Sequence, residues 1–261
     1  MPTLKQYQVD AFTDKLFGGN PAAVVPLDHW LDDGLMQQIG AENNLSETAF
    51  LVKENNGYRI RWFTPTNEVK LCGHATLASA YVIFNHLGFE GSKIEFQSLS
   101  GLLSVTKDND MLTLNFPVNG RIPTKLKEDV AKALGQSPIE LYWCIDNLLA
   151  IFNSQKEIEN LNPDFAALKT ISKHGVITTA KGDEVDFVSR CFFPASGINE
   201  DPVTGSAHTI FTPYWAEKLG KKKLIAKQIS KRGGDLICEL AGDRVLISGK
   251  AKLFMIGEIY V

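Results

Sequence analysis

The feature that most restricts what this chain can fold into is an internal repeat. Arg61-Trp62-Phe63-Thr64-Pro65 returns as Arg190-Cys191-Phe192-Phe193-Pro194. Gly73 and Gly205 each open a segment that closes on Leu-Gly, at Leu87–Gly88 and at Leu219–Gly220, with one offset of 132 positions (205 less 73, 220 less 88). Ser98 and Gly101 keep that offset to Ser230 and Gly233, whereas the Arg-x-Phe-x-Pro match has an offset of 129 (190 less 61), which implies three extra residues in the second loop. Several matches in register point to duplication, so each half reads as strand, proline-bearing loop, glycine, helix, strand and glycine turn. The breaker-rich stretch from Pro117 to Pro123, with Asn119 and Gly120, separates the halves. We therefore expect one domain at 1–117 and a second at 118–250.

Short alternating runs at Gln6–Phe12, Tyr58–Phe63, Ile94–Gln97, Leu112–Phe116, Val185–Phe192 and Arg244–Ile247 predict strands. Helical periodicity with a cap-competent residue near an end predicts helices at Leu31–Asn43, His74–Leu87, Leu126–Leu134, Asp164–Ile171 and Ser206–Leu219. The mixture is an α+β fold. A net charge of −3 and a pI near 6.0 give no general pull toward nucleic acid or anionic lipid, which leaves a small molecule as the expected partner. The N-terminus alternates polar and apolar residues without a signal-peptide core, and no apolar run is long enough to span a bilayer. Cysteines 72, 144, 191 and 238 are scattered, as expected of reduced thiols in a cytoplasm. His29, His74, His86, His174 and His208 lack metal-ligand spacing, so no metal is expected.

Two equivalent glycine-to-helix turns would bring two helix N-termini together if the halves face one another. Each such end offers unpaired amides and partial positive charge, and small residues around them (Gly73 and Ala75, then Gly205, Ser206 and Ala207) let an anion approach the backbone. A carboxylate or enolate-like transition state would be held there without cofactor. The competing possibility is that both glycines only tighten strand-to-helix turns.

Proton transfer needs a titratable group. Glu47 lies between Leu45 and the apolar run Ala49-Phe50-Leu51 at the start of a predicted strand, surroundings that raise a carboxyl pKa toward neutrality. The alternative for Glu47 is a capping box with Asn44 as the cap. His74, one residue into a helix, sits where the dipole favours a neutral ring, and either orients substrate or packs. Asp201, before Pro202, either fixes His74 or meets substrate, or is a plain turn former. Cys72, beside a helix start, is a second candidate acid/base or a small buried residue. Its repeat partner is Thr204, so a matched pair of thiols is lacking.

The segments GGNPAAVV (Gly18–Val25), LSETAF (Leu45–Phe50), CGHAT (Cys72–Thr76) and EDPVTGSA (Glu200–Ala207) resemble those of the PhzF-like phenazine-biosynthesis isomerase family across nearly the whole chain. The resemblance implies a diaminopimelate-epimerase-like fold of two similar domains, each a mixed sheet wrapped around a central helix, with the site in the cleft between them. It further implies that a final strand near 251–261 returns to the first domain and that the protein is a homodimer. By the same resemblance Glu47 matches the proton-shuttling glutamate, His74 and Asp201 match catalytic cleft positions, and Asn20, Gly73, Gly205 and Ser206 match substrate-binding ones. The expected activity is a cofactor-independent proton shift on a small carboxylate-bearing substrate. Cys72 departs from the phenazine enzyme and resembles the catalytic cysteine of related epimerases, so a racemase, epimerase or dehydratase is a second expectation. A binding protein with the cleft but no chemistry is the third.

Overall fold

A computed structural model of the chain describes residues 3–54, 57–125, 128–145, 147–172 and 174–261. Two compact units emerge, one of Met1–Phe116 with Ile247–Val261 and one of Pro117–Leu246. Within the first, nearly every expected strand is present, because alternation places one face of each run in the core. The strand Gly57–Phe63 buries Tyr58, Ile60 and Trp62 in turn.

The ladder of the first unit runs as follows. The last strand, Ala251–Tyr260, pairs antiparallel with the first, Thr3–Ala11, which pairs antiparallel with Asn20–Leu27. Asn20–Leu27 runs parallel to Glu47–Glu54, which is antiparallel to Gly57–Phe63. Gly57–Phe63 is parallel to Lys93–Ser98, and Gly101–Asp108 and Met111–Pro117 follow antiparallel. The helix Gly73–His86 packs against five of these strands. It is apolar or small almost all round, with Leu77, Ala78, Ala80, Val82 and Ile83 fully buried, which is the composition of a helix enclosed by its sheet. Each buried Leu, Val or Ile there contributes roughly 1.5–3 kcal/mol. The outer helix Asp33–Asn43 begins two residues later than Leu31 because the Asp32 carboxylate caps it, accepting from Gly34 N at 2.9 Å.

The second unit repeats that order. Asn147–Ile151 runs parallel to Gly175–Lys181, which is antiparallel to Phe187–Phe193. Phe187–Phe193 is in turn parallel to Lys223–Gln228, which pairs antiparallel with Gly234–Ala241. Its long helix is His208–Leu219, two residues shorter than expected: Ala207, His208 and Thr209 each donate to the carbonyl three residues back, so 204–207 form tight turns. Pro213 sits inside this helix and cannot donate to Thr209 O; the backbone N–H of Asn119 takes that carbonyl instead at 3.3 Å. The helix expected from Leu126 is seen as Glu128–Leu134, Leu126 itself lying outside the described residues. Phe165–Ile171 follows its cap Asp164, and Val130, Leu134, Leu148, Phe152, Leu168 and Phe192 form the core beneath these short helices.

One repeat match is corrected by the ladder. Ser98 ends its strand opposite Gly101, but the corresponding strand ends at Gln228, opposite Gly234, and Ser230 lies in the turn beyond it. The hydroxyl of Ser100 donates to Lys70 O at 2.8 Å and that of Ser230 to Pro202 O at 2.7 Å. Lys70 and Pro202 are 132 apart, so Ser230 corresponds to Ser100, not Ser98. The loop from helix to strand is two residues shorter in the second unit and the following hairpin turn is three residues longer, so the ladder equivalent of Gly101 is Gly234, one position beyond Gly233.

Among the described residues no helix is long and apolar enough to cross a membrane. All four cysteines are free and buried.

Candidate functional site

In the first unit, Asn20, Glu47, Cys72, Gly73 and His74 meet at one end of the sheet. Gly19 makes this possible. Its φ is +62°, and a Cβ there would lie 2.2 Å from Ala11 O, so only glycine can turn the chain this tightly into the strand that opens with Asn20. Glu47 begins the adjacent parallel strand, opposite Ala22. Asn44 is the left-handed C-cap of the preceding helix, with φ 49°, so the capping-box alternative for Glu47 does not apply. The same turn is tied down by Asn43, whose amide donates to Thr48 Oγ1 at 3.0 Å and exchanges two hydrogen bonds with the Gln6 amide.

Cys72 is the extended N-cap of the helix Gly73–His86 and makes no side-chain cap bond, so the amides of Gly73, His74 and Ala75 precede the first backbone hydrogen bond, from Thr76 N to Cys72 O. His74 is the hub. Its Nδ1 lies 3.1 Å from Asn20 Nδ2 and 3.5 Å from Cys72 Sγ, and its Nε2 lies 3.2 Å from Glu47 Oε2. An amide nitrogen only donates, so Nδ1 is the acceptor and the ring proton sits on Nε2, facing the carboxylate. That contact is short but too oblique for a well-directed hydrogen bond. The His74 side chain is 5% exposed and that of Glu47 13%. Burial holds the His74 pKa down at about 3, so the ring is neutral. Desolvation, rather than the helix dipole invoked from sequence, is the cause.

Ligand atoms of Glu47, Cys72 and His74 lie within 4.8 Å of one another and could hold a metal ion, a grouping that sequence spacing did not disclose. The thiol and the carboxylate face different ring nitrogens, so one of them would have to turn for both to join a ring nitrogen on one ion. As found, the ring proton on Nε2 is turned toward the Glu47 carboxylate and Nδ1 toward Asn20 and Cys72.

In the second unit, Asp201, Gly205 and Ser206 fall on one turn. Asp201 ends the strand Ile198–Asp201, opposite Cys191, and its Oδ2 accepts from Thr204 Oγ1 at 2.5 Å. His208 Nδ1 donates to Thr204 O at 2.9 Å, the counterpart of the bond from the Thr76 hydroxyl to Cys72 O in the first unit. Burial lowers the His208 pKa to about 4.

Sequence reasoning missed a pair of braces. Arg61 binds both carboxylate oxygens of Glu68, each at 2.7 Å, and Arg190 binds both of Glu200, at 2.7 and 2.9 Å. Glu68 and Glu200 are 132 apart, so carrying that offset five positions back from Gly73 and Gly205 would have revealed them. Glu200 adjoins Asp201, and Arg190 also donates to Ile158 O and Leu161 O, so this brace anchors the turn to the unit's core.

Residues 9–257 match the family described as "Phenazine biosynthesis-like protein" (PhzC-PhzF). The chain is 49% identical over 256 residues to an uncharacterised isomerase of Pseudomonas aeruginosa, with 98% of each chain covered. It is 48% identical to the crystal structure of a PhzF-family phenazine biosynthesis protein of Enterococcus faecalis, with a TM-score of 0.94 and full coverage of both chains. At 10% identity it shares the fold of a hydroxyproline epimerase from Agrobacterium vitis, with a TM-score of 0.66 over 98% of this chain and 92% of the other.

Proposed function

The chain belongs to the phenazine biosynthesis-like PhzC-PhzF family, whose fold is the diaminopimelate-epimerase-like one, and from that premise we propose that it is an isomerase working by general acid–base catalysis through Glu47. Isomerase activity is supported by the relatives; the base, the proton shift and the substrate class are our reading. The observation that carries it is the approach of a nearly buried Glu47 carboxylate to Nε2 of a neutral imidazole, at 3.2 Å.

Glu47 takes a proton from carbon α or vinylogous to a substrate carboxylate and returns it elsewhere on the same conjugated system. His74 Nε2–H stabilises the carboxylate form of Glu47 between the two transfers, and Asn20 fixes the ring tautomer from behind. The amides of Gly73, His74 and Ala75 supply donors for the substrate carboxylate, as a helix start does for anions. Asp201, Gly205 and Ser206 are assigned a share in holding the substrate. The reaction needs no metal or redox cofactor, and the enzyme is cytoplasmic. We also propose a homodimer; Phe254, Met255 and Ile256 are exposed on the last strand, and sedimentation would test it.

The test is solvent deuterium incorporation into a panel of amino, hydroxy and unsaturated carboxylic acids. Glu47→Gln should lose at least about 100-fold in exchange rate, the lower range for a general base, while its thermal midpoint stays put. Undiminished exchange by that variant sinks the proposal. Silence of the unaltered protein across the panel would favour a binding protein instead.

A further inference from the structure

We infer that Gln228 is a positioning residue for Asp201: its buried side-chain amide spans the Asp201–Thr204 turn and dictates which way the Thr204 hydroxyl points at the Asp201 carboxylate. The strand Lys223–Gln228 alternates exposed and buried residues, so Leu224, Ala226 and Gln228 face inward. An amide therefore stands where the pattern calls for an apolar side chain, and burial of such a group is costly unless its donors and acceptor are matched.

They are matched by the turn. Gln228 Oε1 accepts from Thr204 N at 2.8 Å, and Nε2 donates to Asp201 O at 2.7 Å. A backbone N–H only donates and a carbonyl only accepts, so the amide has one orientation. Nε2 also reaches Thr204 Oγ1 at 3.2 Å. That oxygen is thereby an acceptor from Gln228, and its own proton goes to Asp201 Oδ2 at 2.5 Å. Donation to a carboxylate favours its ionised form.

The repeat separates this from scaffolding. Both units hold the corresponding turn through a serine, Ser100 on Lys70 O and Ser230 on Pro202 O. The ladder position equivalent to Gln228 in the first unit is Ser98, whose hydroxyl donates to Gly101 O inside its own hairpin. Where Asp201 stands, the first unit has Val69. The amide occurs in the half whose turn carries an acid.

That Asp201 serves the reaction rests on the proposed function; the link from Gln228 to Asp201 does not, so the test reads the carboxyl directly. The full-length protein is labelled with ¹³C at the aspartate carboxyl, the Asp201 signal is assigned by its loss in Asp201→Asn, and its pH midpoint is measured. Titratable or charged groups of this unit near it include, among the described residues, Cys191 across the ladder, Glu200 with Arg190, and His208 behind the turn. Gln228→Leu should raise the midpoint by about one unit, a tenfold rise in proton affinity, and so should Gln228→Met, which is likewise uncharged and keeps the side chain's length but has no N–H to donate. In a Thr204→Val background the Gln228→Leu shift should shrink to a fraction of that. An unmoved midpoint in either folded variant overturns the inference, as does a shift undiminished in the Thr204→Val background. Failure of both variants to fold overturns it too, because Gln228 would then be a structural residue only. Since no turnover enters, a null result with Glu47→Gln leaves this outcome readable.

Discussion

Nε2 of His74 lies 3.2 Å from Oε2 of Glu47, behind a helix start that leaves the ring almost no contact with water. The imidazole stays neutral to about pH 3, so it faces the carboxylate with its ring proton in place and is not a titrating partner near neutrality. His74→Gln should slow exchange by about 10–100-fold, at or below the roughly 100-fold lower end of what a removed stabilising donor costs, because the contact is oblique. Because His74 does not titrate near neutrality, the acid limb of the pH–rate profile should persist in that variant. A limb that disappears with the histidine would assign the titration to the ring.

Cys72 faces His74 Nδ1, the nitrogen turned away from Glu47. A proton path through Glu47 does not require the thiol. Cys72→Ala should retain exchange within a few-fold of the parent, and alkylation of the buried thiol should have a steric effect at most. Complete loss of deuterium incorporation in Cys72→Ala would make the thiol the acid/base and favour the racemase, epimerase or dehydratase chemistry.

His74 and His208 both carry pKa values lowered by burial, to about 3 and about 4, from an ordinary 6.5. Between those values and 6.5 the unfolded chain binds more protons than the folded one, so stability is full above about pH 6.5 and falls as the pH drops toward 4. Urea midpoints at pH 7 and pH 5 should differ in that direction. His208→Leu should be less stable at pH 7, having lost the bond to Thr204 O, yet show a shallower loss on acidification.

Arg190 is mostly buried, with its charge met by Glu200 and two carbonyls. Arg190→Met strands the Glu200 carboxylate and should cost about 3–5 kcal/mol by denaturant unfolding. Arg190→Lys should recover little, since an ammonium cannot form the paired hydrogen bonds. Arg61, which binds Glu68 and the exposed Asp33, should tolerate the same change better.

How much was legible follows from the range of each interaction. Helix Gly73–His86 shows in the sequence because an enclosed helix must be apolar all round, and strands such as Gly57–Phe63 show because a half-buried strand alternates. Strand Asn20–Leu27 was not marked: NPAAVVPL is buried on both faces and has no alternation to reveal it. Glu47, His74 and Cys72 could be nominated from motifs, but not their mutual distances. The equation of Ser98 with Ser230 misled, because loops of nearly compensating length almost preserve spacing while shifting the ladder beneath it.

By itself the sequence determined the duplication, the α+β class and the identity of the polar residues at each glycine-to-helix turn, since these depend on periodicity, breakers and composition along the chain. Only the tertiary structure decided that His74 is neutral because it is buried, that its two nitrogens face different partners, and that Gln228 and Arg190 brace the turn of Asp201. Desolvation and hydrogen-bond direction are properties of groups brought together in space, and residues as far apart as 204 and 228 carry no local sign that they will meet.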